Sequence, residues 1–550
     1  MKFNIKLLPL FLVILVAIFF RFYQLGSVPP QPTVDEVSLG YNAYSILNTG
    51  SDEYGTRLPV LLRAYDDYRP ALYSYLAVPF VKFFGLNVVS VRLPSVVLSV
   101  LTVVAVYFLT RYLTNGIKPI QLKYLSLDVS LFASFLLAIS PWHIYISRLG
   151  HEANAFLAFL MFGILFFLRF IDGKKWSLFL SAIFLALSFN SYQNGKVIIP
   201  VLIMVFFSLY FKNIVREKSK VIIALILGII IIAPVIQASL GDNALIRFKA
   251  TSLTQNSSQY YEMIAKRNVL NVENGDMLGY VYDNRKIATA LLVSNAYLSH
   301  FDPVWLFMNK GGEPFKSPTL GLLYLFELPL IFISFLVLLK TPIHYKNKMF
   351  LIILGAVSIL PASITTDYPH AMRTYAMLPL PQILASIGFI YLLSLIKSKS
   401  MQRSFLFFSS FVVFVSVVWF YHSYFSLMPR ELSNHFQYGA ISALTDAREL
   451  ENSYEKVVVS NREVLFESYM FYLFLNKYDP SVYQRNGGTV SGGFNEEHLI
   501  GKYVFGDIKG KLGKNRLYII NPQEVTKDMR VIKEIKYPNN TTVLIIAEII

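Results

Sequence analysis

Residues 69–85 read RPALYSYLAVPFVKFFG, and whether this stretch crosses a membrane decides the sidedness of everything after it. A helix needs about 20 apolar residues to cross a hydrocarbon layer of roughly 30 Å. This stretch is shorter, carries Pro79 and Lys82, and begins with Arg69. If it spanned, every later loop would invert and the Lys/Arg excess would face outward, against the positive-inside rule. We therefore read it as a helix lying along the outer membrane surface, its apolar face in the lipid boundary. A re-entrant pair would give the same signature.

Working outward, the 550 residues are 55% hydrophobic and 15% aromatic, more apolar residue than a soluble core needs. Apolar runs at about 6–21, 92–110, 126–141, 153–170, 177–190, 196–211, 221–239, 320–339, 349–364, 376–396 and 404–422 predict a polytopic helical membrane protein with about eleven spans. With the N-terminus in the cytoplasm, the inner loops hold Lys2 and Lys6, then Arg111, Lys118 and Lys123, then Lys174 and Lys175, then Lys212, Arg216, Lys218 and Lys220. Lys340, Lys346 and Lys348 follow, then Lys397, Lys399 and Arg403, whereas the short outer loops carry only Arg148, Lys196 and Arg373. The alternation places the chain in the cytoplasmic (plasma) membrane with the tail outside. A net charge of +16 held mostly in short loops is a topology determinant, not a nucleic-acid groove. The chain has no cysteine, which excludes disulfides and thiol chemistry.

Four larger pieces fall outside: loop 22–91, turn 142–152, loop 240–319 and tail 430–550. In the tail, VVVS, YVFG, LYII and TVLIIAEI read as strands and EVLFESYMFYLFLNK as a helix, which predicts one small soluble α/β domain. QRNGGTVSGGF, 484–494, reads as a flexible loop. Two domains are expected: a membrane module over 1–425 with outer loops 22–91 and 240–319, and the tail over 430–550.

The acidic groups able to do chemistry lie on the outer side. Thr33-Val34-Asp35-Glu36 has the spacing of a capping box, which gives Glu36 a structural role at the start of a helix. Asp35 then sits at a helix N-terminus, where the dipole keeps it ionised and able to take a proton from a hydroxyl. In AYDDYRPALY, Asp66 and Asp67 are loop charge or substrate contacts. Arg69 either reaches to headgroups or grips a phosphate bidentately. SPWHIYISRLGHEANAF, 140–156, brings Arg148, His151 and Glu152 to a corner. Glu152 at the mouth of a span should face a cavity or pair with Arg148. YLSHFDPVWLFMNKGGEPF, 297–315, holds His300, Asp302 and Lys310; one His with one Asp is too little for a zinc site. TTDYPHAMRTYAMLP, 365–379, holds Asp367, His370 and Arg373, and an Arg at that depth wants Asp367 or an anionic ligand.

No cytoplasmic loop offers a P-loop or a Gly-rich nucleotide turn, so the chemistry is expected outside, without ATP, on a lipid-delivered substrate. No cofactor is indicated, and a divalent metal is left open. Sugar transfer from a polyprenyl phosphate suits these groups: a base for the acceptor hydroxyl, and cations for a phosphate leaving group.

The acidic pair after the first span, the Pro-led helix, VRLPSVVLSVLTVVAVYFLTRYL and SPWHIYISRLGHEAN together resemble the membrane GT-C glycosyltransferases, over roughly residues 1–425. The likeness is to the family 39-like group of protein O-mannosyltransferases and aminoarabinose lipid A transferases. The tail is not that of the mannosyltransferases, and no WWDYG motif points to an oligosaccharyltransferase. The resemblance implies an inverting glycosyltransferase of the cell envelope. It would move a sugar from a polyprenyl-phosphate donor to an acceptor hydroxyl on protein, lipid or surface glycan. Asp35 would be the base with Glu36 beside it, and Glu152 the acidic residue of the second outer loop. Arg69 would contact the donor phosphate and Arg373 would be a further contact. Arg148 and Lys310 are further candidate contacts to the donor phosphate, and Asp66, Asp67, His300, Asp302 and His370 are candidate substrate contacts. The rival class is a lipid or polysaccharide transporter, which predicts ionisable residues in mid-span; apart from Asp128, the span interiors read as almost free of charge.

Overall fold

Long apolar runs without capping signals inside them become helices because lipid offers their backbone no partners. The computed structural model describes residues 8–65, 67–121, 126–240, 250–309, 314–493 and 496–550. Asp66 and Lys310 lie outside these described residues. Among the described residues seven helices are long and apolar enough to cross a membrane: Val88–Leu113, Glu152–Ile171, Gly195–Arg216, Lys218–Ser239, Tyr345–Ser363, Tyr375–Leu395 and a run beginning at Lys399. Val129–Ile139 and Pro141–Ser147, bent by 55° around Ser140, make an eighth if taken together. Asp128, placed inside a span by the sequence reading, instead caps this helix, its Oδ1 accepting from the Leu131 amide at 2.7 Å.

Of three further expected spans, the described part of 6–21 is helical within Leu8–Phe22, 177–190 over Ser177–Phe189, and 320–339 only over Glu327–Val337. The last is short because 320–323 packs as turns on residues 306–308. Leu323 N donates to Leu306 O at 2.9 Å, and a Cβ on Gly321 would lie 2.4 Å from the Phe307 carbonyl carbon. This also corrects the reading that the spans are almost free of charge. Glu327 lies within 320–339, fully buried, with Oε1 accepting from the Tyr324 amide. It closes the first turn of its helix instead of lining the middle of a span.

The chain divides into two compact units. One comprises Met1–Ala17, Val100–Ile144 and Phe156–Val417. It contains most of the apolar helices and, from the loop 240–319, the helices Ser258–Glu273, Met277–Tyr282 and Arg285–Ser299.

The other comprises Ile18–Ser99, Tyr145–Ala155 and Val418–Ile550. Its sheet has six strands in the order 498–500, 503–505, 456–459, 516–520, 542–549, 529–536. Only 456–459 is paired in parallel with its neighbours. The four strands read from sequence are present, and 498–500 and 529–536 are additional. The expected helix over EVLFESYMFYLFLNK is broken: Glu467 adopts φ 56°, so a 3₁₀ turn at Glu463–Leu465 precedes the helix Ser468–Leu475. The stretch 484–494 is tied down within its described part, because Glu496 accepts from the amides of Val490, Ser491 and Gly492.

The tail 430–550 shares one hydrophobic core with the loop 22–91. Val37, Tyr41, Ala77 and Val91 pack with Leu444, Met470, Phe474 and Leu544. The helix Val34–Thr49 comes very close to the tail at Gly40, where a Cβ would sit 2.8 Å from the Phe474 ring and 2.5 Å from Val91. The stretch 69–85, expected from sequence to lie along the membrane surface, is helical over Leu72–Phe84, with Tyr73, Ser74, Ala77 and Val81 buried and Phe83 and Phe84 exposed.

Candidate active site

The helix Val34–Thr49 begins as its sequence dictates. Thr33 Oγ1 accepts from Glu36 N at 3.2 Å and Glu36 Oε2 accepts from Thr33 N at 2.9 Å, a complete capping box. Glu36 does more than cap. It is 2% exposed and takes Arg92 in a bidentate pair, Nε–Oε1 at 2.7 Å and Nη2–Oε2 at 3.2 Å, and Oε1 also accepts from Gly150 N at 2.9 Å. Gly150 is required there: a Cβ would lie 2.8 Å from Val91. The remaining Arg92 donors go to the carbonyls of Leu25, Pro29 and Gln31. Both partners are buried and bonded throughout, so Glu36, which the resemblance places beside the base, joins the first loop to the second. Arg92 escaped the sequence reading although it lies in the RLPS stretch. A cation at the start of an apolar run signals a buried partner.

Arg148, taken from sequence as a phosphate contact, has its head turned to the backbone. Nη1 donates to Phe20 O and Arg21 O, each at 2.9 Å, and Nη2 to Val28 O at 2.7 Å. The guanidinium also lies 4.9 Å from the Phe425 ring centre. It forms no pair with Glu152, contrary to one of the two expectations for that residue.

One residue before Glu36, Asp35 points the other way, its side chain 47% exposed. Arg69, on the short strand Asp67–Pro70, reaches it through Nη1 at 2.8 Å. That strand pairs antiparallel with Leu61–Ala64, with Arg69 opposite Leu62. Arg69 is itself 4% exposed, and its Nε and Nη2 are buried with no hydrogen-bond partner among the described residues. Burial works against its charge, and the carboxylates of Asp35 and Glu152 outweigh burial, so the guanidinium stays charged. Glu152, at the first turn of Glu152–Ile171 and 2% exposed, likewise keeps Oε2 without a donor among the described residues. His151 Nδ1 is 3.6 Å from that oxygen and accepts from Ala153 N. Asp67 Oδ1 accepts from the Tyr68 amide. The structure thus brings Asp35, Arg69 and Glu152 into one electrostatic group from three of the stretches singled out in the sequence.

The other two stretches meet in the other unit. His300 Nε2 accepts from His370 N at 3.2 Å, and its Nδ1 lies 2.7 Å from Ala296 O. His300 is fully buried and its pKa is lowered, chiefly by burial. His370 Nδ1 in turn accepts from Arg373 N at 3.3 Å. Arg373 Nη1 donates to Thr365 Oγ1 and Thr366 O, and Asp367 stands 3.9 Å away. Asp302 caps Pro303–Phe307 by accepting from Val304 N. Sequence reading missed Lys316, 1% exposed, whose Nζ donates to Met308 O and lies 5.5 Å from the Trp305 ring centre. Among the described residues no three His, Asp or Glu converge as a metal site would need.

Comparison with known proteins agrees with the fold. The family described as dolichyl-phosphate-mannose-protein mannosyltransferase matches residues 68–237, which include Arg69, Arg92, Arg148 and Glu152 but not Asp35. No curated protein sequence matches the chain. Among solved structures, ArnT from Cupriavidus metallidurans bound to undecaprenyl phosphate superposes with a TM-score of 0.53 at 11% identity, over 98% of this chain and 97% of that one. ArnT in the apo state aligns over the same shares at 11% identity, with a TM-score of 0.43. At that identity the likeness speaks for the fold. The chain is an integral membrane protein with the GT-C fold, and its resemblance to the membrane glycosyltransferases rests on the sequence of 68–237 and on the architecture of the whole.

Proposed function

We propose that the protein is a membrane glycosyltransferase that moves a sugar from a polyprenyl-phosphate donor to an acceptor hydroxyl outside the cytoplasmic membrane, with inversion. The observation that carries this reading is Arg69. It is a buried guanidinium held by Asp35 through one nitrogen, with two further N–H-bearing nitrogens left without partners among the described residues. A donor-phosphate oxygen would satisfy them, and the developing charge on the leaving phosphate is what such donors stabilise.

In the proposed step the acceptor oxygen bonds to the anomeric carbon as the carbon–phosphate-oxygen bond breaks. The bonding pair leaves on the phosphate, and the acceptor proton passes to Asp35. Asp35 suits the role because it is half-exposed and, beside Arg69 and at a helix N-terminus, favoured as the anion. No second carboxylate is needed as nucleophile, which is the inverting arrangement. Glu152 faces the same cation and would help to hold it. The loop 22–91 and the tail 430–550 would then lie outside the membrane, and the membrane module over 1–425 would supply the donor laterally.

Purified protein in lipid, given radiolabelled polyprenyl-phosphate sugars, tests this. Asp35→Asn should reduce turnover by about 10²–10⁴-fold with thermal unfolding unchanged. Equal turnover removes Asp35 from the chemistry.

A further inference from the structure

Four successive helices, the first of which begins at Glu152, enclose a cleft that this function does not use. Within the larger helical unit, Glu152–Ile171, Ser177–Phe189, Gly195–Arg216 and Lys218–Ser239 surround an apolar cleft of about 750 Å³, its open side included. Phe167, Leu185, Phe206 and Ile229 are among its walls. Along Lys218–Ser239 it extends from Val221 to Ile232, eleven helical rises, or about 16 Å. That is the depth of one leaflet of a hydrocarbon layer roughly 30 Å thick.

A second pocket lies at one end of this cleft. It is lined by Arg169, Lys174, Lys175, Trp176 and Lys220. The two cavities adjoin along two packed helices: Ser177 lines the basic pocket and Leu178 the cleft, and Lys220 and Val221 divide in the same way. Lys175 and Lys220 share one carboxylate, Glu217, at 2.5 and 3.0 Å. Among the described residues Arg169 and Lys174 have no ion-pair partner, so the pocket keeps an excess of positive charge. Trp176, 77% exposed, stands at the rim, where an indole marks a membrane–water interface.

We propose that this composite cavity binds one anionic glycerophospholipid, its phosphate on the Lys174, Lys175 and Lys220 ammonium groups and one acyl chain in the cleft. Charge complementarity selects the anionic headgroup, and the one-leaflet depth selects an acyl chain over a spanning partner. The site is independent of the glycosyl-transfer reading.

The test uses full-length protein stripped of lipid in mild detergent, re-supplied with phosphatidylglycerol or phosphatidylcholine, with retained lipid read by native mass spectrometry. Wild type should retain one phosphatidylglycerol in preference to phosphatidylcholine. The K174Q/K175Q/K220Q variant should lose affinity by about a hundredfold, the loss expected when three lysines no longer face the headgroup. Gly228→Phe should block the chain with every charge intact, because a Cβ at Gly228 meets nothing closer than Ala182 O at 4.0 Å. Circular dichroism and unfolding temperature show whether each variant is folded. Equal retention of the two lipids overturns the proposal. So does undiminished phosphatidylglycerol in both folded variants, or inorganic phosphate competing fully while Gly228→Phe has no effect.

Discussion

Glu36, Arg92 and Arg148 in one group, and Asp35, Arg69 and Glu152 in another, come from the same loops and the same residue types. Five of the six are buried. In the first group both Glu36 oxygens, all three Arg92 nitrogens and both terminal Arg148 nitrogens are bonded, mostly to backbone. In the second group Arg69 keeps two donor atoms and Glu152 one acceptor without partners among the described residues. A buried polar atom left unbonded costs about 1–3 kcal/mol. The fold saturates the Glu36–Arg92 pair and leaves one such atom in the first set, Arg148 Nε, against three in the second, where we propose that a ligand completes the bonding. The first set holds the loops that carry it.

Breaking the saturated group should show in stability first. Arg92→Gln leaves Glu36 buried and uncompensated, and should lower stability by about 3–5 kcal/mol, read as a fall in unfolding temperature. A shift indistinguishable from that of surface variants would contradict the scaffold role.

The next effect comes from where the first loop meets the tail. Glu53 is fully enclosed there, bonded by Asn42, Thr489 and Tyr469, and its pKa is pushed up to about 7 by burial. On its own it would favour the fold below about 4.5 and lose that stability as pH rises through 7, by about 3 kcal/mol. His498, stacked on the same Tyr469, is pushed down to about 4 by burial, opposed by Glu496. Neutral in the fold but protonated when unfolded, it loses stability as pH falls from about 6.5 to 4. The two slopes oppose one another between about 4.5 and 6.5, so wild type should be nearly flat there. Glu53→Gln should expose the histidine slope, with unfolding temperature falling on acidification; His498→Phe should expose the reverse. Flat profiles in both variants would contradict this.

The smallest expected effect is at the cap. Thr33→Ala removes one of the two reciprocal bonds and should lower stability by about 1 kcal/mol.

The sequence carried some of this plainly. The capping box was readable because Thr33 and Glu36 stand three apart before an apolar run, and Asp35 followed as the carboxylate left over. Apolar runs located most of the helices. Arg92 was not legible, because its partner lies 56 residues away and only the fold joins them. Arg148 was misjudged for a related reason: no sequence pattern reveals that three backbone carbonyls converge on it. Glu327 passed unnoticed within an apolar window because hydropathy averages over one carboxylate. The meeting of 297–315 with 365–379 through His300 and His370 is likewise a product of packing. Side-chain chemistry was therefore legible where partners are near in sequence, and hidden where distant backbone satisfies it.

The most direct measurement compares donor turnover per folded molecule for Asp35→Asn and Glu36→Gln in the same lipid. A drop of two orders of magnitude or more is expected for the first, and turnover close to wild type for whatever fraction of the second remains folded. The reverse ranking would place the chemistry on the saturated carboxylate and contradict the account.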